Sequence, residues 1–421
     1  MINRALIPET RIPSKLPEIK YTKTTLNNGL VVYWASDEEE LVRITLYFEC
    51  GSLYENKQGL ASALTKLLLS GSSKHTAYEI EETLDFYGAY TDIDCTYSYI
   101  SVTVFCLKDY VDPILSFLGE VLLDVCIPEK EFRLYQDKSM ENLKVNEQKT
   151  SFLARRLFNE NMFGSAHPYG QHMSAENYIS LTLDEIEAYY QSHFTQGLTQ
   201  VQVNTPLNEA SLLLLSKFPR GTTKSAARAS SLKAGGKRVD QQHQDAVQAS
   251  LYMGMPCLTR QDADYPAWSL MITLFGGYFG SRLMKNIRED KGYTYGISAG
   301  THHLPDRSFL SIRSDVKNEA KLDCVSEIFN EIERLKTTNI GEEELLTVKN
   351  YMLGSLQRSF DGSLALGDRY RIILDHKLPL DYYDTYSQKI LQLSREDVYT
   401  IANKYLDINK LHVIIVGHFE E

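Results

Sequence analysis

Two segments of this chain align on one another without a gap. Residues 181–203, LTLDEIEAYYQSHFTQGLTQVQV, match residues 393–415, LSREDVYTIANKYLDINKLHVII, at an offset of 212 in a chain of 421. Each opens on Leu and a hydroxyl residue (Thr182, Ser394), passes an acidic pair, and reaches a β-branched residue at Ile186 or Val398. Each then ends in an alternating apolar stretch, Val201 and Val203 against Val413 and Ile415. A second pair, 100–125 and 308–335, reads in both copies as a strand followed by a helix. A repeat at about half the chain length requires two halves of one architecture, which constrains the fold more than composition does.

The repeated helices are well specified. Asp112 is expected to cap the first, with Pro113 at its first helical position and Ile114, Leu118, Val121 or Leu122, and Val125 on one apolar face. Leu322, Val325, Ile328 or Phe329, Ile332 and Leu335 form the matching face in the second copy. Alternating or β-branched runs predict strands at 30–34, 43–49, 99–107, 200–203, 308–313 and 412–416. Strands mixed with long amphipathic helices imply an α+β chain of two homologous α/β-sandwich halves, each a mostly antiparallel sheet covered by helices. The halves are expected at 1–217 and 246–421. Residues 218–245, polar and rich in Gly, Ser, Ala and Lys, read as the linker.

Forty-four Lys and Arg against fifty-five Asp and Glu leave a net charge of −11, which argues against nucleic acid or an anionic membrane as a partner. No apolar run has the length a membrane helix needs. The first twenty residues have no apolar core of a signal peptide, so a cytoplasmic location is expected, unless a leader has been removed. The cysteines at 50, 95, 106, 126, 257 and 324 are widely spaced, without C-x-x-C or zinc-ribbon spacing, and read as reduced and mostly buried.

TTLNNGLVVYWA followed by LVRITLYFECGSLYENKQGLASALTKLLLSGSSKHTAYEI resembles the opening of pitrilysin/insulinase-type zinc peptidases. SFLARRLFNENMFGSAHPYGQ is similar to the family's helix and H-P-Y-G turn, and 340–421 resembles its C-terminal half. The resemblance spans nearly the whole chain and implies the same duplicated architecture. In that family a Gly-Leu-Ala helix carries the inverted zinc motif H-x-x-E-H. Here the window holds Ser62-Ala63-Leu64-Thr65-Lys66. By the resemblance, Ser62 and Lys66 stand where the two histidines belong and Thr65 where the general-base glutamate belongs. Asn142 falls where a third, glutamate ligand is expected, with Glu141 one residue off. Zinc takes imidazole, thiolate or carboxylate ligands, and a lysine ammonium repels it. No metal is therefore expected on this chain. Among the ten histidines only His302 and His303 are close, and neighbours on a strand face opposite ways, so solvated or capping roles are expected. His167, before Pro168, reads as part of a turn, with substrate contact the lesser alternative.

In the second half, LFGGYFGSRLMKNIREDKGYTYGISAG resembles a family element in which an arginine and a tyrosine seven residues later face the zinc site; the matching residues are Arg288 and Tyr295. By the resemblance, Arg288 holds a substrate carbonyl and Tyr295 donates to the oxygen that becomes anionic during attack on the peptide bond. From the residues alone, Arg288 pairing with Glu289 or Asp290, and a core Tyr295, remain open. Arg282 reads as structural. Gly276, Gly277 and Gly280 read either as a permissive, substrate-binding stretch or as a plain turn. There is no phosphate-loop motif.

Some family members divide labour between two similar chains, one with H-x-x-E-H and the other with the Arg/Tyr pair. The resemblance implies that this chain is the second kind: a non-catalytic subunit of a heterodimeric zinc peptidase. It would help enclose a peptide substrate and be inactive alone, with zinc in an H-x-x-E-H-bearing paralogous partner. The alternatives are a proteolytically dead scaffold or peptide-binding protein of the same fold and, less favoured, a peptidase with an atypical metal site.

Overall fold

A computed structural model describes residues 16–219, 221, 236–337 and 340–420. Half of the stretch read as a linker, 222–235, lies outside the described residues, as do the first fifteen residues. The end of that stretch, Arg238–Gln242, is a strand.

Eleven strands are described: β1 (Tyr21–Thr25), β2 (Val31–Ala35), β3 (Leu41–Phe48), β4 (Tyr90–Cys95), β5 (Ile100–Leu107), β6 (Leu198–Val203), β7 (Arg238–Gln242), β8 (Gln248–Cys257), β9 (Thr294–His303), β10 (Ser308–Lys317) and β11 (His412–Gly417). They form two mixed sheets, ordered β1-β2-β6-β3-β5-β4 and β7-β11-β8-β10-β9. Removing β1 leaves one order written twice. The repeated stretches occupy equivalent places: β6 and β11 second from one end, β5 and β10 second from the other. Pairing agrees, because β2 runs parallel to β6 as β7 does to β11, while β5 and β10 are antiparallel to their outer neighbours β4 and β9.

The helix leading into each repeated strand begins in the same way. Thr182 caps Leu183–Tyr189 and accepts from the Glu185 N–H, while the Glu185 carboxylate accepts from the Thr182 N–H. Ser394 and Asp397 make the same reciprocal pair at the start of Arg395–Tyr405. Ser394→Ala leaves one of these N–H groups without its acceptor. It is expected to cost about 1 kcal/mol, read as a lower urea midpoint with unchanged slope; an unmoved midpoint would contradict it.

By contacts the chain divides into two compact units, Lys20–Tyr252 with His412–Glu421, and Met253–Leu411 with Met1–Ile19. In the first, β2, β3, β5 and β6 turn Val32, Ile44, Leu46, Val102, Val104 and Val201 into a core. Phe48 and Phe194 stack there with ring centroids 3.9 Å apart. The Val111–Leu123 helix buries Ile114, Leu118, Val121 and Leu122 against this core. Asp112 does not cap it. Tyr110 holds the cap position, and Asp112 accepts instead from the Asn208 amide and the Ser211 hydroxyl. A carboxylate one residue inside the helix reaches a neighbouring element more readily than its own first turn.

In the second unit Lys321–Thr337 buries Val325, Ile328, Ile332 and Leu335 as expected, but Leu322 is exposed and Cys324 takes the inner position. Trp268, on Tyr265–Ile272, is wholly buried and donates from its indole nitrogen to the Thr301 hydroxyl at 2.9 Å. All six cysteines are free, but only Cys50, Cys106 and Cys324 are buried; Cys126 is exposed. No described helix is long and apolar enough to cross a membrane.

Candidate functional site

The helix expected to carry a metal motif is present as Leu60–Leu67. Gly59 precedes it in the left-handed region, φ 98°, where glycine is unstrained. The Glu55 carboxylate closes its first turn, accepting from the Gly59 and Ala61 N–H groups at 3.1 and 3.0 Å. Burial raises the Glu55 pKa, and these backbone donors oppose the rise. Leu60, Ala61, Ala63, Leu64 and Leu67 anchor the helix in the core.

Ser62 and Lys66, four residues apart and so on one helix face, are both exposed. Thr65 is buried, and its hydroxyl donates to the Ala61 carbonyl at 2.8 Å. The Cys95 thiol lies near Thr65; burial pushes it up to about 12, and the Thr65 hydroxyl opposes that rise. Asn142 is exposed on the Glu129–Glu147 helix, as is Glu141 beside it. Nearer to Ser62 on that helix is Tyr135: burial raises its phenol, and the hydroxyls of Ser139 and Ser62 partly offset this.

The donor set does not fit zinc. Two hydroxyls, an ammonium and a carboxamide offer no imidazole, thiolate or carboxylate at the four positions. Among the described residues no cluster of three or more His, Cys, Asp or Glu could hold a metal elsewhere.

The histidines are less exposed than expected. His167 is buried in a turn, accepting the Tyr169 N–H at 3.0 Å against the rings of Phe163 and Tyr169. His412 is buried, bonded to Asn161 at 2.9 Å. His302 pairs with the Ser311 hydroxyl, and its neighbour on β9, His303, with Ser308 and Tyr265. The imidazoles of His302, His303 and His412, bonded to neutral partners, are structural groups.

Arg288 lies in a π-helical stretch, Met284–Asp290. It forms no ion pair with Glu289 or Asp290; its guanidinium stands 4.4 Å from the centroid of the Phe279 ring. Phe279 is 66% exposed, so an aromatic face and a cation share a solvent-facing surface. Tyr295 is 90% exposed, which removes the core alternative. Strand register explains its position. Ile297 pairs with Ser314 and Thr294 with Val316, so Tyr295 and Gly296 together face the single Asp315. This is a β-bulge, a device that re-aims a side chain. The Ser314 hydroxyl pins it, donating to the Thr294 hydroxyl and close to the Gly296 carbonyl.

The three glycines have different reasons to be there. A side chain on Gly276 would place Cβ 2.6 Å from Ala299 Cβ, so glycine lets this turn approach β9. Gly277 is exposed, and a Cβ on Gly280 would meet the Tyr278 ring at 2.8 Å. None of the three has positive φ, so close packing, not a left-handed backbone, accounts for Gly276. Arg282 makes a half-buried, two-pronged bond to Glu344 with both contacts at 2.8 Å, a structural role. Phe279 escaped the sequence reading. Its only signal was an aromatic residue set between glycines.

The model of the insulinase family (peptidase family M16) matches residues 30–174, and that of the peptidase M16 inactive domain matches 180–352, so together they span most of the chain. The non-peptidase homolog YmxG of Helicobacter pylori is 22% identical over 87% of each chain. The uncharacterized zinc protease YmxG of Bacillus subtilis is 22% identical over 80% of this chain and 84% of its own. Among solved structures, a peptidase M16 inactive domain from Pseudomonas fluorescens has this fold, with a TM-score of 0.84 at 20% identity over 95% of this chain and 98% of its own. With the sheet order repeated in both halves and both family models matched in sequence, the chain belongs to the insulinase family, peptidase family M16.

Proposed function

We propose that this chain is the non-catalytic subunit of a heterodimeric cytoplasmic zinc peptidase. A paralogous partner with an intact H-x-x-E-H motif would hold the metal, and this chain would bind peptide and lend Arg288 and Tyr295 to the partner's site. One observation carries the reading: the helix that should bear the motif keeps its capping and packing but presents Ser62 and Lys66 to solvent, whereas the bulge presents Tyr295 outward.

In this role the phenol of Tyr295 donates a hydrogen bond to the substrate oxygen on which negative charge gathers, and Arg288 binds a backbone carbonyl of the peptide. The Phe279 ring limits the directions the Arg288 guanidinium can take. The exposed Gly277 and the part-exposed Gly280 leave backbone open beside these groups, suited to an extended peptide, while Gly276 packs against β9 beneath them.

The chain and an H-x-x-E-H paralogue, produced separately and then mixed, test this. Cleavage of an unfolded peptide should appear only in the mixture and saturate at one chain of each kind. Equal cleavage by the partner alone would overturn the proposal. A mixture that associates without any cleavage would favour the second reading, a proteolytically dead scaffold, which the name of the Helicobacter pylori relative makes worth testing.

A further inference from the structure

Arg260, between β8 and the Tyr265–Ile272 helix, is a largely buried cation with no anion paired to it among the described residues. Its Nε is closed off from solvent and has no acceptor, and the guanidinium makes no ion pair. Its Cζ lies 5.7 Å from the centroid of the Tyr265 ring. The groups that act on its charge are tyrosines, first Tyr265 and then Tyr382 and Tyr383. The buried Tyr382 hydroxyl is near enough to Arg260 to act on it as a weak neutral acceptor, but makes no hydrogen bond of ordinary geometry. Of the other part-buried arginines of the same unit, Arg282, Arg371 and Arg307 have a carboxylate in Glu344, Asp375 and Asp306, whereas Arg288 lies against the Phe279 ring and Arg369, like Arg260, has a buried Nε without an acceptor. A buried charge left uncompensated is costly, and a ring face satisfies none of the five guanidinium N–H donors.

Arg260 opens on a cavity of about 340 Å³ whose wall includes Pro379, Tyr382 and Tyr386, with Lys377 and Lys389 also lining it. Among the described residues neither lysine has an ion-pair partner. Asp262 is the sole carboxylate on the wall, and its Oδ2 is occupied by the N–H and hydroxyl of Thr259, both at 2.7 Å. Lys377 follows the Ser363–Asp375 helix at φ 50°, the one non-glycine residue with positive φ among those described. Glycine is the unstrained choice at such a position, so a lysine there brings charge to the cavity at a conformational cost.

We propose that this cavity binds a small carboxylate on an apolar stem, the carboxylate paired with Arg260 and attracted by Lys377 and Lys389, the stem against Pro379 and the tyrosines. The planar guanidinium matches a carboxylate in a two-pronged bond. The apolar wall selects against a bare inorganic anion. A free organic acid and the C-terminal carboxylate of a peptide share this chemistry. The site lies within one unit of the chain and is independent of any peptidase role.

Titration of the purified full-length chain with 3-phenylpropionate, followed by calorimetry and thermal unfolding, tests the proposal. Binding with Kd near or below about 1 mM and a rise in Tm are expected, with 3-phenylpropionamide at least about ten-fold weaker. Arg260→Gln should remove the ligand-dependent rise while the unliganded protein stays folded, and Lys389→Gln should weaken binding about three-fold. A phenylalanine-terminated tripeptide identifies the source: tighter binding than 3-phenylpropionate assigns the site to peptide ends, weaker binding to free acids. Equal binding of acid and amide, inorganic phosphate as tight as 3-phenylpropionate, or no binding at about 10 mM would each overturn it. The acid–amide comparison uses wild-type protein and stands even if Arg260→Gln fails to fold.

Discussion

In the assembled peptidase, Tyr295→Phe is expected to lower kcat about 100- to 1,000-fold, the loss seen when one oxyanion donor is removed. The change deletes one hydroxyl from a side chain that is 90% exposed, so the stability of the chain itself should move by no more than about 0.5 kcal/mol. KM should hold within a few-fold, because the lost bond strengthens only as charge develops on the substrate oxygen. Arg288→Ala should differ by raising KM as well, since a carbonyl contact exists in the ground state. Stopped-time peptide cleavage with matched enzyme concentrations separates the two effects. An unchanged kcat for Tyr295→Phe would remove this chain from the chemistry and leave it a scaffold.

Acidification should destabilise the chain well before its carboxylates titrate. His303 sits between the Tyr265 and Ser308 hydroxyls, with its Nε2 2.9 Å from Tyr265 and its Nδ1 2.7 Å from Ser308. Burial, then the positive charge of Arg260 and the neighbouring His376 and His302, lower its pKa to about 3. Burial also lowers His302, His376 and His412. The unfolded chain takes up a proton at His303 near pH 6.5, while the folded chain refuses it until near pH 3. Stability is therefore complete above about 6.5 and falls as pH drops through that window. By pH 5 the His303 contribution lost is about 2 kcal/mol, at roughly 1.4 kcal/mol per pH unit. The paired carboxylates of Glu344 and Asp264, held low, add losses of the same sign at lower pH, whereas Glu55, raised by burial, works in the opposite direction. Urea unfolding between pH 5 and 7 should show the slope, and His303→Gln should remove about one proton from it. A slope that survives His303→Gln intact would contradict this assignment.

Which strands were legible depends on where they lie in the sheets. The six runs predicted from β-branched or alternating residues became β2, β3, β5, β6, β10 and β11, all interior to the two sheets. Four of the five missed strands, β1, β4, β7 and β9, are the sheet edges. An edge such as RVDQQ or YTDIDC is largely exposed and has little reason to alternate apolar and polar residues. The fifth, β8, is buried along most of its length, so it too lacks alternation. The candidate site divides in the same way. Absent ligands could be counted from residue types alone, since Ser62, Thr65, Lys66 and Asn142 offer no zinc donor wherever they point. How Tyr295 is presented depended on strand register, which no short stretch of sequence encodes. The Tyr295-Gly296 pair was a faint sign, because glycine within a strand marks a bulge. Arg260 was invisible for a related reason: its lack of a carboxylate is a property of the folded neighbourhood, not of the residues beside it in the chain.

The account rests on the inability of this chain to hold the family's metal itself. Metal analysis of the purified chain, alone and after dialysis against equimolar zinc, measures that directly. Less than about 0.1 zinc per chain is expected, given a donor set without imidazole, thiolate or carboxylate at the four positions. About one tightly held zinc per chain, with peptide cleavage in the absence of any partner, would contradict it.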